Sequence, residues 1–253
     1  YKNRVASETT SQIEIDKNDE HIIQITEDLE QPSRVAIVTG GNRGIGYEVC
    51  KELSKADCRV VLTSRNEVDG NKALDSLHHH DNITYHKLDV TDIKDISRLR
   101  DWILKTYERV DILVNNAGVY LDEGVSVFEV DEKLVHQTMA ANFYGAFRMC
   151  RAFVPIMKQN GYGRIVNISS GYGAMRDMSV QGAGAYKLSK LSLNGLTQLV
   201  SAEVKGDIKI NAVCPGWVST DMGGPSAPRT PTLAAESILW LATIGPDGPN
   251  GGF

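Results

Sequence analysis

A tyrosine, a lysine and a serine in the second half of the chain could together carry out acid–base chemistry. Tyr186 and Lys190 stand one turn apart on the same face if the stretch 183–190 is helical. The ammonium of Lys190 would then lie beside the phenol of Tyr186 and lower its pKa. Ser170 precedes this stretch, and the intervening loop can return its hydroxyl to the same point. The three residues predict a proton donor, a charge that tunes it and a hydroxyl that orients a substrate oxygen.

The size and composition of the chain exclude several classes of function. Its 253 residues, 42% of them apolar and 23% charged, suit one α/β unit that needs no disulfide or metal. The net charge of -5 argues against nucleic-acid binding, and no apolar run approaches the roughly 20 residues of a membrane helix. The four cysteines are scattered without metal-ligand spacing, which favours reduced thiols and a cytoplasmic location. We therefore expect no metal site, no nucleic acid and no membrane as partner.

The character of the chain changes at residue 34. Residues 1–33 are polar and acidic, and they lack the apolar core of a signal peptide. We interpret them as a flexible N-terminal extension; an arm that binds a partner is the alternative. Because the chain starts at Tyr1 rather than at Met, we expect a fragment or a processed form. Residues 34–253 are expected to form one domain.

A glycine-rich turn follows the first strand of this domain. Val35–Val38 is a β-branched run typical of a buried strand, Thr39–Gly46 follows, and an amphipathic stretch continues through Leu53. Strand, glycine-rich turn and helix N-terminus make the arrangement that binds a pyrophosphate. The spacing G-x-x-x-G-x-G differs from the G-x-G-x-x-G fingerprint, so a tight turn without a ligand is the alternative.

The end of the second predicted strand bears on the choice of cofactor. Arg59–Thr63 is followed by Ser64 and Arg65. An acidic side chain at this point usually binds the ribose 2′-hydroxyl of NAD, whereas an arginine accommodates a 2′-phosphate. Arg43 stands inside the glycine turn, and two guanidinium groups on one phosphate would favour NADP. The alternative is that both arginines are solvated surface residues.

Strands and helices alternate through the rest of the chain, which predicts an α/β fold with a single Rossmann-type, doubly wound parallel sheet flanked by helices. Ligands bind at the carboxyl ends of the strands in such sheets. The triplet His78–His80 cannot converge on one metal and is expected in a loop, and Trp217–Pro231 is a candidate lid. Further strands are expected at Ile83–Leu88, Asp111–Val114, Arg164–Ile168 and Lys209–Val213, and further helices at Thr91–Tyr107, Asp131–Met157, Tyr186–Val204 and Thr232–Ile244.

From Arg34 onward the chain resembles the short-chain dehydrogenase/reductase family. The matching pieces in chain order are Thr39-Gly40-x3-Gly44-x-Gly46, Asp89, Asn115-Asn116-Ala117-Gly118, Asn142, Ser170, Tyr186-x3-Lys190 and Pro215-Gly216. Three stretches, Gly41–Gly44, Val60–Arg65 and Cys214–Met222, are similar to the NADPH-dependent carbonyl reductase branch. The resemblance implies an enzyme that reduces a ketone or aldehyde with NADPH/NADP+ as cofactor.

The resemblance also implies a role for each matching residue. Tyr186 is expected to donate a proton to the carbonyl oxygen, with Lys190 lowering its pKa and holding the nicotinamide ribose. Ser170 is expected to orient the substrate oxygen, and Asn142 to hold a water that returns protons to Lys190. Ser170 is preferred over Ser169 because successive side chains at a strand end face opposite ways. Cofactor contacts are expected from Gly40, Asn42, Arg43, Gly44, Ile45, Gly46, Ser64, Arg65, Asp89, Val90, Asn116, Ala117, Gly118, Tyr186, Lys190, Pro215, Gly216, Val218 and Thr220.

The resemblance leaves substrate and partners open. An apolar and aromatic pocket wall would suit a hydrophobic small-molecule carbonyl compound without choosing among terpenoid, aromatic and aliphatic ketones; its expected members are Val119, Tyr120, Tyr172, Met175, Met178, Trp217 and Met222. The chain between Ser170 and Tyr186 is shorter than in the monomeric carbonyl reductases, which predicts a homodimer or homotetramer by analogy. The family also usually continues past Gly251-Gly252-Phe253 into a last strand, so a cut terminus is expected.

Two other functions compete with carbonyl reduction. One is an NADP(H)-binding sensor or scaffold without turnover, which would need no proton donor. The other is enoyl reduction, but relatives with that activity usually separate their tyrosine and lysine by more than the three residues between Tyr186 and Lys190.

Overall fold

A computed structural model describes residues 33–253, and the predicted N-terminal extension lies outside the described residues apart from Ser33. One sheet of six parallel strands has the order β3-β2-β1-β4-β5-β6. The strands are β1 Val35–Val38, β2 Arg59–Ser64, β3 Ile83–Lys87, β4 Ile112–Asn115, β5 Tyr162–Ile168 and β6 Asp207–Val213. The helices are α1 Gly44–Lys55, α2 Glu67–Ser76, α3 Ile93–Tyr107, α4 Glu132–Met139, α5 Gly145–Asn160, α6 Gly184–Glu203 and α7 Pro231–Thr243. The predicted doubly wound, Rossmann-type fold is confirmed.

The sheet lies between two helical layers because successive side chains of its central strands point to opposite faces. In β1, Ala36 and Val38 pack with Val49 and Leu53 of α1, while Ile37 belongs to a cluster on the other face. The members of that second cluster include Leu99, Ile103, Phe153 and Met157 from α3 and α5. Burial on both faces explains why β1 and β4 are continuous apolar runs rather than alternating ones.

The order of the strands in the sheet determines where a ligand can bind. β1 pairs with β2 on one side and with β4 on the other, so the chain reverses its direction of winding beside β1. Ligands of open α/β sheets bind in the crevice at such a switch point, outside the carboxyl ends of the strands. The glycine turn after β1 and the segment Asn116–Gly118 after β4 flank this crevice.

The long helix predicted over Asp131–Met157 is not continuous. A π-helical turn at Ala140–Tyr144 separates α4 from α5, and it contains the buried Asn142. A π turn adds a residue to one helical turn and is frequent at functional sites. The apolar residues before and after the π turn both follow a helical spacing. The sequence pattern therefore does not show that one turn between them contains an extra residue.

Two segments that carry no strong strand or helix pattern lie in loops. His78–His80 lie in turns after α2, and residues 214–230 between β6 and α7 form turns and bends with one isolated bridge from Val218 to Arg229. No helix within residues 33–253 has the length and apolar character needed to cross a membrane.

Candidate active site

The glycine turn brings the start of α1 close to the ends of the central strands. Gly40 and Gly44 have φ values of 64° and 55°, a left-handed conformation that glycine adopts without strain. At Gly46 an added Cβ would overlap the Gly40 carbonyl oxygen and Nδ2 of Asn116, so only glycine lets α1 approach the strand ends this closely. The residues present therefore fit the phosphate-binding role expected of a Rossmann turn.

Asn116 ties the end of β4 to this turn. Its side-chain amide donates to the carbonyl oxygens of Thr39 at 2.9 Å and Gly40 at 3.0 Å. The hydroxyl of Thr39 in turn accepts the backbone N–H groups of Asn116 and Ala117, both at 2.9 Å. These four bonds fix the two walls of the crevice relative to each other.

The two arginines predicted to bind a 2′-phosphate are both exposed. Arg43 forms an ion pair at 2.5 Å with Asp221, which lies in the loop after β6. Arg43 also lines a surface cleft of about 400 Å³ together with Asn42 and Lys72. Arg65 follows β2 and has no ion pair among residues 33–253. Lys72 of α2 is a third cation, which no motif in the sequence indicates, and it lines the cleft of Arg43 together with Asp69.

The remaining cofactor residues expected from the sequence lie at or just beyond the carboxyl ends of the strands. The Ser64 hydroxyl donates to the Asn66 carbonyl at 2.6 Å, and the Asp89 carboxylate accepts from the backbone and the hydroxyl of Thr91. The structure therefore gives both side chains partners within the protein. Ser64 ends β2, Asp89 and Val90 follow β3, Ala117 and Gly118 follow β4, and Pro215, Gly216, Val218 and Thr220 follow β6.

Tyr186 and Lys190 lie on α6, one turn apart, as predicted. Both are buried, with 8% and 5% of their surfaces exposed. The Lys190 ammonium lies 5.5 Å from the centre of the Tyr186 ring and donates to the Ile168 carbonyl at 2.7 Å. Because Ile168 ends β5, this bond holds α6 against the strand that leads to Ser170.

Burial sets the pKa values of this pair. It raises the pKa of Tyr186 to about 12, an effect that hydrogen bonding with Ser170 opposes, and it lowers the pKa of Lys190 to about 8. The expectation that Lys190 depresses the pKa of Tyr186 is therefore not met in this structure, since desolvation of the phenolate dominates. A phenol with a raised pKa stays protonated at neutral pH, which is the form a proton donor needs.

The structure brings Ser170, rather than Ser169, to Tyr186. The Ser170 hydroxyl accepts the backbone N–H of Tyr172 at 3.2 Å, at the start of a 3-10 turn over Gly171–Gly173. The Ser169 hydroxyl is buried and has no hydrogen-bond partner among the described residues. This is the alternation at the end of β5 that the sequence predicts.

Asn142 forms a junction between three elements. Its side chain accepts from the Val119 N–H at 2.8 Å, and it donates to the Val119 carbonyl and to the Ser189 hydroxyl, both at 2.9 Å. Both amide protons are therefore used within the protein, which leaves only acceptor capacity for the water expected from the resemblance. A Cβ added at Gly118 would lie 3.2 Å from Oδ1 of Asn142 and 3.7 Å from Nζ of Lys190, so these two side chains approach the same point.

Two further tyrosines surround the phenol of Tyr186. The ring centre of Tyr120 lies 4.5 Å from that of Tyr186, and Tyr172 meets it edge-on at 6.5 Å. The other expected wall residues are less enclosed: Met175, Trp217 and Met222 are exposed. Met178 lines a cavity of about 630 Å³ between residues 124–129 and 178–188, next to the start of α6.

Asp122 is a further residue of the site that no sequence motif indicates. It lies in the loop after β4, has no exposed surface, and its carboxylate accepts the backbone N–H groups of Ala185 and Tyr186. Its partners lie 63 and 64 residues further along the chain. No local pattern marks such a residue, because the contact exists only once the sheet has formed.

Comparison with known proteins agrees with this geometry. The family model described as short chain dehydrogenase matches residues 34–230. The chain is 32% identical to (+)-neomenthol dehydrogenase of Arabidopsis thaliana, over 85% of this chain and 93% of that protein. It is 33% identical to carbonyl reductase (NADPH) 1 of Macaca fascicularis, over 87% and 95% of the two chains.

A solved structure shows the same architecture. The structure of salutaridine reductase from Papaver somniferum superimposes with a TM-score of 0.78 at 30% identity, over 87% of this chain and 99% of that one. The family match covers the glycine turn, Asn142, Ser170, Tyr186 and Lys190 together. The chain therefore belongs to the short-chain dehydrogenase/reductase family and is an oxidoreductase of its carbonyl reductase-like branch.

Proposed function

We propose that the protein uses NADPH to reduce the ketone or aldehyde group of a hydrophobic small molecule to an alcohol. The observation that carries the proposal is the placement of Tyr186 and Ser170, with Lys190 behind them, at the same sheet edge as the glycine turn. A proton donor and a dinucleotide site at one edge are the two parts that carbonyl reduction requires.

In the proposed reaction the chain's own residues manage the proton and the substrate oxygen. A bound nicotinamide would supply the hydride that adds to the carbonyl carbon. Tyr186 donates its phenolic proton to the carbonyl oxygen, and Ser170 donates a hydrogen bond that fixes this oxygen in place. We propose that the Lys190 ammonium, which lies 5.5 Å from the centre of the Tyr186 ring, holds the nicotinamide ribose. We assign Asn142 to the path that returns a proton to Lys190.

NADPH rather than NADH is supported by three cations and by the relatives. Arg65 directly follows β2, at the point where an acidic residue would otherwise bind a ribose 2′-hydroxyl, and Arg43 and Lys72 line one cleft, which Asp69 also lines. The Macaca fascicularis relative is named for its use of NADPH. We therefore propose that these cations bind the 2′-phosphate.

Replacing Arg65 with alanine should change cofactor preference. We expect kcat/KM for NADPH to fall by about 10- to 100-fold, the loss of one charge-assisted hydrogen bond, while kcat/KM for NADH stays within about two-fold. Steady-state kinetics with both cofactors measure the change. Arg59→Ala is the matched control, because Arg59 is exposed at the opposite end of β2 and should leave both values unchanged. Equal losses with NADPH and NADH would contradict a 2′-phosphate contact.

The substrate is proposed from the pocket and the relatives together. Tyr120 and Tyr172 offer aromatic faces beside Tyr186, which suits an apolar carbonyl compound. Two relatives are named neomenthol dehydrogenase and salutaridine reductase, which makes both of them oxidoreductases. We propose a hydrophobic carbonyl compound, such as a terpenoid, aromatic or aliphatic ketone, as the substrate.

A screen of carbonyl compounds with the purified protein tests the function. Oxidation of NADPH should depend on a hydrophobic ketone or aldehyde and should be slower with NADH. A sensor or scaffold would bind NADPH without consuming it across the whole panel, and that result would overturn the proposal.

We also propose a cytoplasmic location and self-association of the protein. All four cysteines of the chain lie in the described part and are free thiols, which supports a cytoplasmic location. Exposed apolar side chains on α6, among them Leu188 and Leu199, support a homodimer or homotetramer formed through this helix.

A further inference from the structure

Helix α6 begins without the features that usually stabilise a helix N-terminus. Its first flanking residue, Ala183, has φ of 59° and offers no side chain to accept a helix N–H, and the first turn contains no acidic residue. The first N–H groups of a helix need acceptors, and the positive end of its dipole favours a negative charge. This is the helix that carries Tyr186 in its first turn.

A carboxylate from the loop after β4 meets both needs. One oxygen of Asp122 accepts the Ala185 N–H at 2.6 Å, and the other accepts the Tyr186 N–H at 3.2 Å. The backbone carbonyl of Asp122 also accepts the N–H of Ala183 at 3.2 Å. Asp122 thus accepts three backbone N–H groups at the start of α6, those of Ala183, Ala185 and Tyr186.

The two segments that meet here are shaped for a close backbone approach. Gly182 and Gly124 have φ of 77° and 70°, and a Cβ added at Gly182 would lie 3.1 Å from the Gly124 Cα. Asp122 itself has no exposed surface, so water does not compete for its oxygens. Burial and the glycine contact fix the carboxylate relative to the helix.

We propose that Asp122 is a positioning residue, whose buried carboxylate caps α6 and so fixes the phenol of Tyr186 for proton transfer. The proposal rests on the proposed function in that it assigns the proton donor to Tyr186. Asp122 acts through Tyr186 and does not contact the substrate. It also joins the loop after β4, which bears Tyr120, to the helix that bears Tyr186.

The first test replaces Asp122 with asparagine. Asparagine keeps one carbonyl oxygen, loses the charge, and points an NH2 group at one of the two backbone N–H donors. We expect kcat to fall by about ten-fold, and by about 100-fold in Asp122→Ala, with KM for NADPH nearly unchanged because the glycine turn is untouched. Asp92→Asn is the matched control: Asp92 is exposed and caps α3 through the Lys94 N–H at 2.8 Å, so it should leave kcat unchanged.

The second test asks whether Asp122 acts through Tyr186. In a Tyr186→Phe background, Asp122→Asn should lower the residual rate by less than about two-fold, because residues that act as one unit are not additive. Independently of activity, hydrogen exchange measured by mass spectrometry should be faster in Asp122→Asn for the peptide covering residues 183–190, and unchanged there in Asp92→Asn. If Asp122→Asn is too unstable to purify, the comparison is made in the Ala183→Gly background, where glycine removes the cost of the left-handed backbone.

The outcomes separate this proposal from the proposed function. A Tyr186→Phe variant with wild-type kcat would overturn the reaction, and hydrogen exchange at the start of α6 would then still decide whether Asp122 caps it. Loss of activity in Tyr186→Phe, together with wild-type kcat and wild-type exchange in Asp122→Asn, would overturn the positioning role alone. The positioning role would also be overturned if Asp122→Asn lowered the rate in the Tyr186→Phe background by as large a factor as it does in the wild type.

Discussion

Replacing Tyr186 with phenylalanine should lower kcat by about 1,000-fold while NADPH binding stays nearly unchanged. The substitution removes the hydroxyl that we propose donates the proton, and it keeps the ring that packs against Tyr120 and Tyr172. Steady-state turnover of the best carbonyl compound measures the loss, and fluorescence titration with NADPH measures binding. Since the Tyr186 hydroxyl hydrogen-bonds with Ser170, its removal costs one hydrogen bond and should not unfold the protein.

Tyr162→Phe is the matched control for this experiment. Tyr162 begins β5, at the opposite end of the strand from Ser170, and its hydroxyl is buried without a hydrogen-bond partner among the described residues. Removing that hydroxyl should leave kcat unchanged. Comparable turnover in Tyr186→Phe and Tyr162→Phe would rule out Tyr186 as the proton donor.

Gly46→Ala should abolish NADPH binding and destabilise the fold. The added methyl group would overlap the Gly40 carbonyl and Nδ2 of Asn116, so either α1 must move away from the strands or the Asn116 bonds must break. Overpacking of this kind costs about 3 kcal/mol in the free energy of unfolding. Thermal unfolding should show a midpoint lower by roughly 6 to 12 °C in a domain of this size.

The control for Gly46→Ala is the same substitution on another helix. Gly195 lies within α6, and an added Cβ there would have no neighbour within 4 Å. Because alanine loses less conformational entropy in a helix than glycine, Gly195→Ala should raise the free energy of unfolding by about 0.5–1 kcal/mol. If the free energy of unfolding falls in Gly46→Ala and rises in Gly195→Ala, packing and not helix propensity determines the effect at Gly46. Destabilisation of both by similar amounts would contradict this account.

The sequence predicted the fold and the ends of the strands because these depend on local patterns. Buried strands such as Val35–Val38 read as continuous apolar runs, and the glycine turn marks the first helix. The helical spacing of Tyr186 and Lys190, and the alternation that distinguishes Ser170 from Ser169, are equally local. Strand and helix bounds accordingly differ from the predictions by only a few residues, apart from the break at Ala140–Tyr144.

What the sequence did not predict depends on contacts between distant segments. The π turn at Asn142 forms where the side chain reaches Val119 and Ser189, and the Asp122 cap forms where two loops meet. The pair of Arg43 with Asp221 joins positions 178 residues apart. The pKa of Tyr186 was expected to fall, but burial raises it, because desolvation depends on the folded environment rather than on the neighbouring lysine alone.

The order of the strands also determines at which stage of folding the crevice forms. β1 pairs with β4 across more than seventy residues of chain, and the Asn116 bonds to Thr39 and Gly40 span this same seam. Parallel sheets built from such distant partners fold slowly, because the entropy cost of closing the loops comes before the contacts that stabilise the sheet are formed. The dinucleotide crevice therefore forms only when the chain is nearly native, and a ligand that binds there selects the folded population by mass action. We therefore expect that a supply of cofactor during biosynthesis raises the yield of folded protein.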